Sequence, residues 1–112
     1  VFVGADDTHT GGGGGTGSAL DERTRITPRT PACFHVVLLN DDYTPMGFVV
    51  DILESLFHRS PVEAYAVMME VHLDGRGIAG TFPWDVAETK VEHLLARSEA
   101  EGHPLRAVIE PA

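Results

Sequence analysis

The sequence predicts a small α+β sandwich of order βααβαβ. A three-stranded antiparallel sheet packs against three helices, preceded by a disordered Gly-rich N-terminal tail. Three observations carry this expectation. Short β-rich apolar runs are interleaved with segments whose apolar residues recur every three or four positions. Proline and glycine punctuate the boundaries between them. Ahead of them all, Gly11 to Gly15 form an unbroken glycine run, extended by Thr16-Gly17-Ser18.

Residues 1–31 have the composition of a flexible linker. Leu20 and Ile26 stand alone there and cannot nucleate a core. Such a segment is either a solvated tail without a role or a tether whose mobility is used. The folded domain is expected over residues 32–112, which suffices for one core. Phe34 to Leu39 reads as a strand that runs out into the polar turn Asn40-Asp41-Asp42. Thr44-Pro45 then reads as a helix start, with the threonine hydroxyl as cap and proline at the first helical position. From Phe48 through Phe57 the apolar residues keep helical spacing, and the helix is expected to end near His58-Arg59. Ser60-Pro61-Val62-Glu63 has the capping-box form, opening a second helix that stops around His72 before Gly75 and Gly77. Ile78 to Phe82 is a short strand in which Gly80 signals a bulge or a close backbone approach. Pro83 opens the third helix, Gly102-His103-Pro104 closes it, and Leu105 to Ile109 is the last strand.

The 112 residues hold one cysteine, Cys33, so no internal disulfide is possible and a reducing compartment is expected. No apolar run approaches the ~18 residues of a membrane span, and no basic segment followed by an apolar one marks a secretory signal. A cytoplasmic protein without membrane contact is expected. The formal net charge of −9 argues against nucleic acid, whose phosphates it would repel. Most of that charge lies on the predicted domain: its thirteen acidic residues face five basic ones, against four and three in the tail. Cationic partners are favoured.

No nucleophile motif, phosphate loop or cofactor fingerprint is present. Asp41, Asp42, His72 and His103 are ligand types for a metal, but their spacing matches no metal pattern, and lone histidines are commonly structural or exposed. A metal-dependent hydrolase at Asp41, Asp42 and His72 stays as a remote alternative. His72, at the end of a helix before a glycine turn, also fits a residue favoured there by the helix dipole. Met68 and Met69 alone read as core filling. Residue patterning thus yields a polar corner beside an apolar helix.

The motifs carry further. Asn40-Asp41-Asp42-Tyr43-Thr44-Pro45-Met46, Phe48-Val49-Val50, Met68-Met69-Glu70-Val71-His72, Val86-Ala87-Glu88-Thr89-Lys90 and His103-Pro104-Leu105 closely resemble, in order, the bacterial ClpS family of adaptors. The match runs from about Phe34 to Glu110. The resemblance implies an N-degron adaptor, not an enzyme, that binds proteins beginning with Phe, Tyr, Trp or Leu and delivers them to the ATPase ClpA of the ClpAP protease. By the same resemblance Asn40, Asp41 and His72 contact the ligand's free α-amino group, and Asp42 and Thr44 support the loop. Met46, Val49, Met68, Val71 and Leu105 form the side-chain pocket, with Met46 as a gatekeeper that excludes β-branched residues. Asp85 and Lys90 lie on the ATPase-docking surface. No cofactor is implied, and a monomer is expected. An altered N-terminal specificity or another AAA+ partner, of the ClpC type, is the alternative.

Elementary chemistry makes sense of that assignment. A protonated amine offers three donors and no acceptor, so its site needs acceptors and negative charge. Asp41 supplies charge, Asn40 a carbonyl oxygen and neutral His72 a ring nitrogen, so binding should weaken in acid. An internal peptide bond would leave those acceptors unpaired at about 1–3 kcal/mol each. The pocket adds about 2–3 kcal/mol for an aromatic or leucine side chain. The chain departs from the family pattern at Gly47 and Asp85, both usually glutamate. Gly47 removes a reciprocal capping bond to the threonine and lowers helix propensity, together about 1 kcal/mol. The family's N-terminal extension is engaged by the ATPase pore. About thirty residues span ~30 Å as a coil and up to ~100 Å pulled straight, enough for that reach.

Overall fold

Phe34–Leu39 is the apolar centre of the sheet. The computed structural model, which describes residues 1–2 and 33–112, makes this run strand β1 and pairs it antiparallel on both sides. Its neighbours are β2 (Arg76–Phe82) and β3 (Arg106–Pro111), giving the strand order β2-β1-β3. Helices α1 (Met46–Ser55), α2 (Pro61–Asp74) and α3 (Trp84–Ala100) complete the expected α+β order.

Strand alternation explains the burial. Val36 and Leu38 belong to the main core, together with Val49, Ile52 and Leu53 of α1, Ala64, Met68 and Val71 of α2, and Ala87 and Leu94 of α3. Val37 points to the opposite face, where its register partners Ile78 and Val108 flank it. On that face the ion pair between Arg76 and Glu110, at 2.6 Å, links the two edge strands diagonally across β1. A partly exposed pair of this kind contributes about 1 kcal/mol or less. The expected irregularity at Gly80 is present twice over. The register shifts between Val36 and Val37, so that Gly80 and Ile78 face them in turn, and a Cβ at Gly80 would lie 2.6 Å from the Phe82 ring.

The helix ends differ from expectation in instructive ways. Pro45, not Thr44, is the N-cap of α1, and no side chain caps it. The Thr44 hydroxyl is instead buried and donates to Asp41. With the helix starting one residue later, the reciprocal bond thought lost at Gly47 has no counterpart here, and only its propensity cost remains. Helix α1 also ends at Ser55, ahead of the predicted His58-Arg59, because His58 adopts a left-handed φ of 56°. Helix α2 begins as expected. Ser60 Oγ accepts from the Glu63 N–H at 3.2 Å, and Glu63 Oε1 accepts from the Ser60 N–H at 3.1 Å. It runs two residues past His72, to Asp74, and stops where Gly75 turns left-handed at φ 92°. Strand β2 starts at Arg76 rather than Ile78, and β3 at Arg106, leaving Leu105 buried just ahead of it.

Arg97 clasps α3 to α1, donating to Asp51 at 2.8 Å and Ser55 at 2.9 Å while its guanidinium lies 5.8 Å from the Phe48 ring centre. Residues 1 and 2 are seated against the core. The expected extension over residues 3–31 lies outside the described residues. Among the described residues no helix is long and apolar enough to cross a membrane.

A Cβ built at Gly47 meets nothing within 4 Å, so the position carries a propensity cost without a packing benefit. Gly47→Ala is expected to stabilise the protein by about 0.5–1 kcal/mol, read as a higher midpoint in thermal or denaturant unfolding.

Candidate functional site

The corner between β1 and α1 is built by one carboxylate. Asp41 Oδ1 accepts from the N–H groups of Tyr43 and Thr44, both at 2.8 Å, and Oδ2 accepts the Thr44 hydroxyl at 2.8 Å. An aspartate accepting from the next two or three residues closes an Asx-type turn. Thr44 is fully buried, so its polar groups need these partners. Partial burial pushes the Asp41 carboxyl up. The N–H of Thr44, that of Tyr43, the Thr44 hydroxyl and the Val1 ammonium outweigh it, and hold the group below its ordinary 3.8. Asp42 and Tyr43 form the exposed rim of the turn.

Asn40 sits at the end of β1, where its backbone N–H donates to the Gly75 carbonyl at 2.9 Å. That bond ties the corner to the turn after α2, one residue beyond the last turn, which carries His72. Among the described residues the His72 Nδ1 is shut off from solvent and has no hydrogen-bond partner. A buried polar atom without a partner is uncommon in folded proteins.

The first two residues lie against this corner. The Val1 ammonium donates to Asn40 Oδ1, and its charge lies near enough to Asp41 to favour the carboxylate. Phe2 then runs alongside the corner as a parallel bridge to Pro45. Its N–H donates to the Thr44 carbonyl at 2.7 Å, and its carbonyl accepts from the Met46 N–H at 2.9 Å. The Val1 side chain, 7% exposed, joins the apolar cluster that contains Val49, Met68, Val71 and Leu105, with Met46 packed against the same cluster. These pocket residues come from α1, α2 and the approach to β3, elements that only the tertiary fold unites.

Asp85 is exposed in the first turn of α3. Lys90 is engaged internally, its Nζ donating to the Leu56 carbonyl at 2.8 Å and lying 5.5 Å from the Phe82 ring centre. Among the described residues no cluster of three His, Cys, Asp or Glu side chains could hold a metal ion. Three contributors were missed in the sequence: the Thr44 carbonyl, the Met46 N–H and the Val1-Phe2 segment. Main-chain groups carry no residue signature.

Comparisons with known proteins point to one family. The family model for the ATP-dependent Clp protease adaptor protein ClpS matches residues 29–108. The chain is 50% identical over 93 residues to the ATP-dependent Clp protease adapter protein ClpS of Deinococcus radiodurans, covering 80% of this chain and 82% of that protein. It is 48% identical over 101 residues to the protein of the same description from Hyphomonas neptunium, covering 90% and 86%. Among solved structures, Agrobacterium tumefaciens ClpS2 bound to L-phenylalaninamide superposes with a TM-score of 0.70 at 36% identity, covering 73% of this chain and 99% of that one.

Replacing Asp41 by alanine would leave the buried Thr44 hydroxyl and two backbone N–H groups without partners. A stability loss of about 1–3 kcal/mol is expected by denaturant unfolding. Because folding favours the ionised Asp41, its contribution is fully present above pH 3.8 and fades as pH falls through the lower folded value. The stability gap between the native protein and the alanine variant should therefore narrow in acid below that pH.

Proposed function

The chain belongs to the ClpS family of ATP-dependent Clp protease adaptors, and on that premise we propose that it captures proteins by a destabilising first residue, Phe, Tyr, Trp or Leu, and delivers them to the ClpA ATPase for degradation by ClpAP. Residues 32–112 are the capturing domain, and residues 1–31 are the extension that the ATPase engages. The protein changes no covalent bond. It acts in the cytoplasm as a monomer, through recognition and hand-over alone.

The observation that carries this reading is the seat of Val1. An α-ammonium group rests on Asn40 with the Asp41 charge nearby, and the next residue is held by its backbone. The phenylalaninamide bound by the Agrobacterium protein also carries a free amino group on an aromatic residue, which supports the same assignment. In the proposed complex the ligand's ammonium donates to Asn40 and to the unpaired His72 Nδ1, and Asp41 contributes charge while it braces the turn. Met46, Val49, Met68, Val71 and Leu105 receive the first side chain. Thr44 and Asp42 keep the corner in shape. Asp85 and Lys90 mark the face that meets ClpA, where Lys90 acts by holding the end of α1 in place.

A fluorescent peptide with free N-terminal Leu or Phe should bind at micromolar concentration or better, and its N-acetylated form should not. Equal binding of the two would refute the amino-group reading. Asn40→Ala removes one charge-assisted hydrogen bond, about 1.5–3 kcal/mol, and should weaken binding roughly 10- to 100-fold by fluorescence anisotropy. Substituting His72 by alanine should also weaken binding of the free-amine peptide, read by fluorescence anisotropy.

A further inference from the structure

The two edges of the sheet are treated differently. Along β2 the Ala79 carbonyl accepts the Arg59 Nε–H at 2.9 Å, and α2 comes so close that a Cβ at Gly77 would lie 2.9 Å from Val71. Strand β3 has β1 on one side, and among the described residues nothing pairs with the other. Its flank is open, with a groove of ≈ 350 Å³ between Leu95 and Ser98 of α3 and Arg106 and Ala107 of β3. The register tells which backbone groups face outward. The Ala112 N–H donates to the Cys33 carbonyl at 3.1 Å, one step beyond the pair Phe34–Pro111. Antiparallel pairing alternates, so Glu110, Val108 and Arg106 are the residues of β3 that bond β1. Ala107 and Ile109 therefore point their N–H and carbonyl groups away from the sheet. Pro111, which has no N–H, falls in the same outward set, as proline in an edge strand should. The side chains of Arg106, Val108 and Glu110 share the face of Val37, while Ala107 and Ile109 pack against the core.

We propose that this edge pairs with the same edge of a second copy of the chain, antiparallel and two-fold about Val108. Ala107 then stands opposite the second copy's Ile109, and each such pair exchanges both of its N–H···O bonds. Val108, 39% exposed, meets its own counterpart. Arg106 meets the second copy's Glu110, and Glu110 the second copy's Arg106. Among the described residues Arg106 is the one arginine or lysine without a partner, since Arg59, Arg76, Lys90 and Arg97 are all engaged. Sequence and backbone select this register over its neighbours. Centring the two-fold on Ala107 would set Arg106 against Val108. Centring it on Ile109 would set Ala107 against Pro111, which has no N–H to give. The pairing buries less than the ~1,200 Å² of a standard interface, so it is transient and expected at about 100 μM and above. At lower concentration the monomer proposed above is the form present. Because the paired strands run antiparallel, the two Asn40 corners lie at opposite ends of the joined sheet. The inference is independent of what those corners bind.

Sedimentation equilibrium of the full chain from about 10 μM to about 1 mM tests the pairing. The mean mass should rise toward twice that of the chain and stop there. Arg106→Glu sets like charges against each other at both ends of the pair and should weaken it about tenfold. Glu110→Arg should do the same. Mixed in equal amounts, the two variants offer each other opposite charges at both ends, and the mixture should associate at least as well as the native chain. Thermal unfolding checks that each variant is folded. Glu110→Arg also loses its bond to Arg76, and if it does not fold, Arg106→Glu decides alone. A native chain that stays monomeric through about 1 mM overturns the inference. So does an Arg106→Glu variant that pairs as tightly as the native chain, or a mixture of folded variants no more associated than its components. Association that continues past the dimer overturns it as well.

Discussion

The Asp41 carboxylate is the constraint on which the site depends. It accepts three hydrogen bonds within a span of four residues, and one of its donors is a hydroxyl with no access to water. The turn supplies the partners that allow the Thr44 hydroxyl to be buried beside the start of α1. The same turn aims the Thr44 carbonyl and Met46 N–H outward along a line that accepts one further peptide unit. A single ionised side chain thus converts a chain reversal into a short docking edge. It does so while keeping its negative charge close to where a cation will rest.

The apolar half of the site is not a separate pocket added to the core. Val49, Met68, Val71 and Leu105 belong to the cluster that holds the two halves of the chain together. Their side chains are fully buried and come from α1, α2 and the approach to β3. The polar corner follows β1, whose Val36 and Leu38 belong to the same cluster. In the complex proposed above, binding would couple two unlike terms, charge-assisted bonds to a chain end and apolar burial of its first side chain.

Local chemistry was the legible part of the sequence. The Ser60 capping box, the strand over Phe34–Leu39 and the irregularity at Gly80 each follow from residues within a few positions of one another, and each is present. Thr44 was misjudged because its hydroxyl had two partners within reach. A helix N-terminus competes weakly against a carboxylate that can also take two backbone N–H groups. The end of α1 was overrun because the apolar spacing continues through Phe57, while the left-handed turn at His58 has no residue signature. His72 was visible by position, but its unpaired nitrogen is a property of burial that only the fold creates. The contact of Val1 with Asn40 spans thirty-nine positions, a separation at which neither periodicity nor capping chemistry speaks.

Gly75 lies outside the site, yet its carbonyl holds the Asn40 backbone while its left-handed dihedral ends the helix that carries His72. A Cβ there would touch nothing within 4 Å, so a larger residue would be opposed by dihedral strain and not by crowding. One glycine therefore ties the segment that carries Asn40 to the end of the helix that carries His72. Two polar groups from distant parts of the chain share that single joint, so a change of backbone at Gly75 would disturb the setting of both at once.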